Sequence, residues 1–157
     1  MSLADVLRSL LCDVFAFYVR AHAAHWNVVG PDFAQYHALF GDIAADTYES
    51  VDPLAENVRK LDGFTPGTVA DLAAGCVTAD PAAGYSTTAL AGDLLDANER
   101  LLGRLRLAFS AADAMNEQGI ANFLAERIDA HQKWRWFLKS STSVTISVTD
   151  LVAADEF

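Results

Sequence analysis

The chain has 157 residues, 52% of them hydrophobic and 20% charged. That composition excludes a disordered chain, and the length suits one domain on a prior of roughly 100–200 residues each. Eleven Lys and Arg against 21 Asp and Glu leave a formal net charge of −10, which argues against a general binder of nucleic acid or anionic membrane, since either needs a basic surface. The two cysteines, Cys12 and Cys76, are too few for a disulfide scaffold and fit a reducing compartment. Residues Met1 to Asp5 lack the basic start of a secretory signal. No apolar run reaches the ~18 residues that a membrane span needs, because Asp13 and Arg20 interrupt the longest one. A cytoplasmic protein is expected.

Taken in chain order, the first helix is predicted from about residue 3 to 28. Leu3, Val6, Leu7, Leu10, Leu11, Val14, Phe17, Tyr18 and Ala21 recur there at helical spacing. Ser2 and Asp5 form a capping pair, and Gly30-Pro31 marks the stop. A second helix is predicted over about 33–61, with Asp32 as N-cap and Gly63 as terminator. Residues 63–85 carry Gly63, Pro66, Gly67, Gly75, Pro81 and Gly84, the punctuation of a loop. A short helix fits around Val69 to Ala74 inside it. The third helix is expected over about 87–110, with Ser86 as N-cap and Leu90, Leu94, Ala97, Leu101 and Leu105 as its stripe.

The fourth helix is expected over about 116–139, carried by Ile120, Phe123, Leu124, Ile128, His131, Phe137 and Leu138. Trp134, Trp136 and Phe137 read as core or interface packing. Ser143 to Thr149 then alternates at period two, as a strand would, and the run to Phe157 is acidic. The fold class is therefore all-α. Four helices with two short connections and one long middle crossover make a ferritin-like four-helix bundle, with a short helix in the crossover. The bundle is assigned to residues 1–142 and an acidic C-terminal tail to 143–157.

The chain has four histidines, His22, His25, His37 and His131. Taken singly, a histidine is more often a packed or surface residue than a ligand. His25 and His37 differ because they flank one turn. At ~1.5 Å rise per residue they sit about 8 and 10 Å from it on antiparallel helices, at nearly equal height. Iron at imidazoles also needs carboxylates. The Glu-x-x-His motif of intrachain di-iron bundles is absent, since Val19, His22, Ala34 and Ile128 stand three residues before the histidines. Asp52 and Glu56 form an i,i+4 acidic pair on one helical face, readable as a merely solvated face. Asp52 lies about 22 Å beyond His37 along the axis, so one chain cannot gather all four. Two copies related by a two-fold axis could, making two identical sites.

The segment His25-Trp26-Asn27-Val28-Val29-Gly30-Pro31-Asp32-Phe33, then His37, then Asp52-Pro53-Leu54-Ala55-Glu56-Asn57-Val58-Arg59, resembles the Dps family of mini-ferritins. Leu61-Asp62-Gly63 with Pro66, and His131 to Leu138, extend the likeness over most of the chain. The resemblance implies a hollow homo-dodecamer that binds Fe(II) at ferroxidase sites shared between subunits. It also implies oxidation of that iron by hydrogen peroxide or dioxygen, storage of Fe(III) mineral, and protection from oxidative damage. His25 and His37 would be ligands from one subunit, and Asp52 and Glu56 ligands from its partner. Trp26 matches a tryptophan beside the family's site.

There are departures from the family pattern. The family usually has an Asp four residues after the second histidine, where this chain has Gly41; Asp42 next door is turned ~100° around the helix. The loss should weaken the metal site, and a non-catalytic Dps-like shell with a degenerate iron site is the alternative reading. Pro53, between the two acids, cannot donate to Glu49, so a kink is expected there. Glu117, with Asp113 and Glu126, matches the family's acidic entry pores, although Asn122 stands where the family often has Asp. The basic tails used by the family for DNA are missing: no Lys or Arg precedes Arg8 or follows Lys139. A dodecamer would carry a formal charge of about −120 and repel duplex DNA.

Overall fold

The computed structural model describes residues 1–76 and 84–142. Six helical segments are described: α1 (Leu3–Asn27), α2 (Phe33–Glu49), α3 (Val51–Lys60), α4 (Val69–Gly75), α5 (Thr87–Ala114) and α6 (Gln118–Thr142). The expected second helix is α2 and α3 together. Short connections make α1 and α2, and likewise α5 and α6, antiparallel neighbours. The long link carrying α4 joins the two pairs, and α4 lies against α1. The strand-like run 143–149 and the acidic tail lie outside the described residues, as does Pro81 in the crossover.

Helix starts follow the expected chemistry in two cases and depart from it in a third. Ser2 Oγ accepts from the Asp5 backbone at 3.2 Å while Asp5 Oδ2 accepts from the Ser2 backbone at 2.9 Å, a complete capping box. Ser86 Oγ likewise accepts from Ala89 N–H at 3.2 Å. Asp32 does not cap α2 as expected. Its backbone is left-handed, φ 59°, and its side chain makes no cap hydrogen bond. Its carbonyl accepts from Gln35 and Tyr36 instead.

The kink expected at Pro53 falls instead at Ser50, ahead of both acids, and α3 runs unbroken through Pro53. Ser50 N–H turns back to the Thr47 carbonyl at 3.1 Å, and Ser50 Oγ donates to the same oxygen at 2.7 Å. Thr47 Oγ1 donates to the Ile43 carbonyl at 2.7 Å. Hydroxyls that bond back onto the preceding turn bend helices, and Pro53 removes a donor just beyond. α2 and α3 are thus two helical segments interrupted at Ser50.

The core lies between the helix pairs. Leu7, Leu10, Phe40, Ile43, Leu94, Leu105, Leu124 and Leu138 are fully buried, as the helical stripes require. Each buries roughly 1.5–3 kcal/mol worth of apolar surface. His131 belongs to this core at 1% exposure. Its Nδ1–H donates to Asn98 Oδ1 at 2.7 Å, and Asn98 Nδ2 donates to the His131 carbonyl at 2.9 Å. This two-way clasp joins α5 to α6, and burial pushes the imidazole down to about 4. Trp134 is buried and donates its Nε1–H to Asp46 Oδ2 at 2.6 Å, tying α6 to α2. Trp136, grouped with it at the sequence level, is 65% exposed. Among the described residues no helix is long and apolar enough to cross a membrane.

Candidate metal centre

The turn at 28–32 decides the geometry of the histidine pair. Val28 closes α1 in extended conformation, and Gly30 takes φ +119°, a value that residues with a β-carbon rarely adopt. Val29 N–H donates to the Tyr85 carbonyl at 3.0 Å, anchoring the turn to the start of α5. The last turn of α1 therefore faces the first turns of α2. His25 and His37 meet there, their rings stacked with centroids 3.7 Å apart.

Their hydrogen bonds are reciprocal. His25 Nδ1 lies 2.6 Å from the His37 carbonyl, and His37 Nδ1 lies 2.9 Å from the His25 carbonyl. A carbonyl oxygen only accepts, so each Nδ1 carries the proton and donates it. In the neutral ring this leaves the lone pair on Nε2. Fixing Nδ1 on a backbone carbonyl is how a metal-ligating histidine is usually held in its tautomer and orientation. Both rings are half-buried, which leaves an approach from outside the chain.

Gly41 is explained by the same pair. A β-carbon there would lie 2.9 Å from His25 Nδ1 and 3.1 Å from Cε1. The His25 ring occupies the space that a side chain at 41 would need. A residue with a β-carbon there would require the ring to shift.

Asp52 and Glu56 both stand exposed on α3, and Asp52 lies in its first turn. Leu54, Asn57 and Val58 are the residues of α3 that are buried. The helix is intact through both acids, so they share a face. Among the described residues no group of three or more His, Cys, Asp or Glu gathers closely enough to hold a metal. One chain thus supplies a pair of imidazoles at one place and a pair of carboxylates on α3. The donor chemistry fits a borderline or hard divalent metal such as Fe(II), provided that both pairs meet.

Around the histidines runs a row of rings that the sequence reading did not assemble. Phe33 stacks on His37 with centroids 5.2 Å apart, and His22 packs on Trp26 at 4.5 Å and on Tyr18 at 5.5 Å. Tyr18 in turn meets Tyr48 at 4.9 Å. The i,i+4 spacing of Tyr18, His22 and Trp26 was the available signal. Trp26 (68%), Tyr48 (57%) and Phe33 (48%) are strongly exposed for aromatic residues. A separate groove of about 910 Å³ runs between α1 and α5, past Phe17, Ala24, Leu90 and Leu101. The ion pairs of Arg20 with Asp93 and of Arg104 with Asp13 border it, and it contains none of the four candidate ligands.

The helix order and the long crossover define the ferritin-like class. The ferritin-like domain family matches residues 4–144. The chain belongs to that family, and within it to the Dps proteins. It is 26% identical over 137 residues to the DNA protection during starvation protein of Brevibacillus brevis, covering 87% of this chain and 92% of that one. It is 29% identical over 138 residues to a low-temperature-induced protein of Nostoc, covering 87% and 77%. Its structure is similar to that of Dps from Thermosynechococcus elongatus, with TM-score 0.86, 21% identity and 93% of each chain covered.

Proposed function

We propose that the protein is an iron-storage and detoxification shell. It binds Fe(II) at sites shared between two copies, oxidises it with hydrogen peroxide or dioxygen, and retains the Fe(III). The observation that carries this reading is the His25–His37 pair, both Nδ1 atoms committed to carbonyls and both Nε2 atoms left for a metal. His25 and His37 of one subunit would bind the substrate ion. Asp52 and Glu56 of its partner would neutralise its charge, with Glu56 bridging or chelating. Carboxylates favour Fe(III) over Fe(II), so the acidic half of the site lowers the cost of giving up the electron. The oxidant takes that electron, and the protein supplies position and charge.

Two features support sharing between copies. The ligands of one chain fall in two places. The rim of the histidine pair is also an apolar surface of Trp26, Phe33 and Tyr48, such as another copy would cover. A closed homo-oligomer, a dodecamer by family likeness, follows. Its net charge of −10 per chain argues against tight DNA binding.

A second reading, a Dps-like shell with no iron chemistry, draws on Gly41, which leaves no carboxylate beside His25. Anaerobic Fe(II) titration followed by peroxide separates the two. Saturable binding and oxidation faster than in buffer, both lost in His37→Ala, support the ferroxidase. Oxidation no faster than in buffer leaves the inert shell.

A further inference from the structure

The crossover brings the chain's two cysteines together, although they are far apart in sequence. Cys12 is buried on α1, and Cys76 caps the C-terminus of α4 in extended conformation, φ −90° and ψ 146°. A β-carbon on Gly75, the residue before Cys76, would lie 2.6 Å from Cys12 Sγ and 3.3 Å from Cys12 Cβ. Only glycine lets α4 approach this closely, and the approach is made onto the sulfur itself. Consecutive Cα atoms are ~3.8 Å apart, so Cys76 is held one residue from that contact.

The two thiols also feel each other. Burial pushes the Cys12 thiol up, and the nearby Asp13 and Cys76 raise it further. Each thiol is parked on a carbonyl of its own helix, Cys12 on Arg8 at 3.4 Å and Cys76 on Ala73 at 3.2 Å. Among the described residues neither thiol has a hydrogen-bond partner beyond its own helix. A disulfide needs Cα atoms roughly 4.4–6.8 Å apart. α4 has seven residues, none of them buried. A small slide of its last turn over Cys12 therefore breaks few contacts.

We propose that Cys12 and Cys76 form a reversible intrachain disulfide site that pins the crossover helix α4 to α1 under hydrogen peroxide. Cys76, the more exposed thiol, reacts first: its sulfur takes one oxygen from H2O2, giving a sulfenic acid and water. Cys12 sulfur then attacks that sulfur, the S–O bond breaks, and a second water leaves with the Cys12 proton. In total two thiols and one peroxide give one disulfide and two waters. The pairing is independent of the iron site, since neither cysteine belongs to it.

The test uses the full-length protein, reduced, freed of reductant, and treated with a small molar excess of hydrogen peroxide. Free thiols counted under denaturing conditions should fall from two to none per chain. A peptide map should show Cys12 joined to Cys76 within one chain, reversed by dithiothreitol, and the unfolding midpoint should rise on oxidation and fall back on reduction. In Cys76→Ser the Cys12 thiol should survive the same treatment, because its primary reaction site is gone. In Cys12→Ala, Cys76 should run on to sulfinic acid. If Cys12→Ala fails to fold, the map of the unsubstituted chain and Cys76→Ser decide. Linkage between chains, a sulfinic Cys76 beside a free Cys12 in the unsubstituted protein, or two thiols untouched would each overturn the proposal.

Discussion

Replacing Gly41 by alanine sets a helix-propensity gain against damage to the histidine pair. In a helix interior the exchange is worth about 1 kcal/mol in favour of Ala. The new β-carbon, however, would lie 2.9 Å from His25 Nδ1, so the ring must retreat. It is already stacked on His37 at 3.7 Å, which limits where it can go. Retreat stretches the 2.6 Å bond from Nδ1 to the His37 carbonyl, and one such bond contributes about 0.5–1.5 kcal/mol. Gain and loss nearly cancel. Urea denaturation of Gly41→Ala should give a stability within about 1 kcal/mol of the parent. Metal binding should not be spared, because a ligand that loses its orienting partner typically costs 10–100-fold in affinity. Anaerobic Fe(II) titration of both proteins at the same pH measures it. Unchanged affinity would refute the idea that Gly41 exists to seat His25. So would a loss of stability of more than about 3 kcal/mol, which would mean the site resists the β-carbon through the backbone.

Other consequences are more local. The unfolded His131 takes up its proton near 6.5, the folded one only near about 4. Stability is intact above the unfolded value and is lost as pH falls through that window, by about 3 kcal/mol at its lower end. Denaturation at a series of pH values should show this slope, and His131→Gln should flatten it; the same slope in the variant refutes the assignment. Asn98→Ala removes both halves of the clasp and leaves the His131 Nδ1–H buried without an acceptor, at a cost of about 2–4 kcal/mol by urea denaturation. Asp46→Ala deprives buried Trp134 of its acceptor and should cost about 1–3 kcal/mol, with a changed tryptophan emission as a second readout. Plasmid DNA should not be retarded by the metal-free protein in a gel shift at about 0.1 M salt, and retardation would contradict the charge argument.

Much of the fold was legible because helix stripes and caps are local. The Leu90–Leu105 stripe and the Ser2–Asp5 box specify their helices with few competing solutions. A break in the second helix was legible from the missing N–H of Pro53, but its place at Ser50 was not, since that depends on the back-bonding of the Thr47 and Ser50 hydroxyls. Asp32 was misread because its residue type favours both an N-cap and a left-handed turn. The turn won there, and the side chain lost its reach to the first N–H groups. At the site, the shared height of His25 and His37 followed from helical rise alone. Their reciprocal bonding and the collision at Gly41 depend on how α1 and α2 are rotated about their axes, which periodicity does not resolve. Packing of Gly75 on Cys12 was hidden likewise, because the crossover has no periodicity to read.

The claim that each pocket is built from two chains is tested most directly by mixing subunits. One protein carries His25→Ala and His37→Ala, the other Asp52→Ala and Glu56→Ala, and the two are co-expressed with different tags and purified as mixed assemblies. Each is inactive alone. In a mixed pair one of the two pockets keeps both intact halves, so random pairing should restore about a quarter of the parent's Fe(II) sites and peroxide-driven oxidation. Mixed assemblies as inactive as either component would contradict the shared pocket.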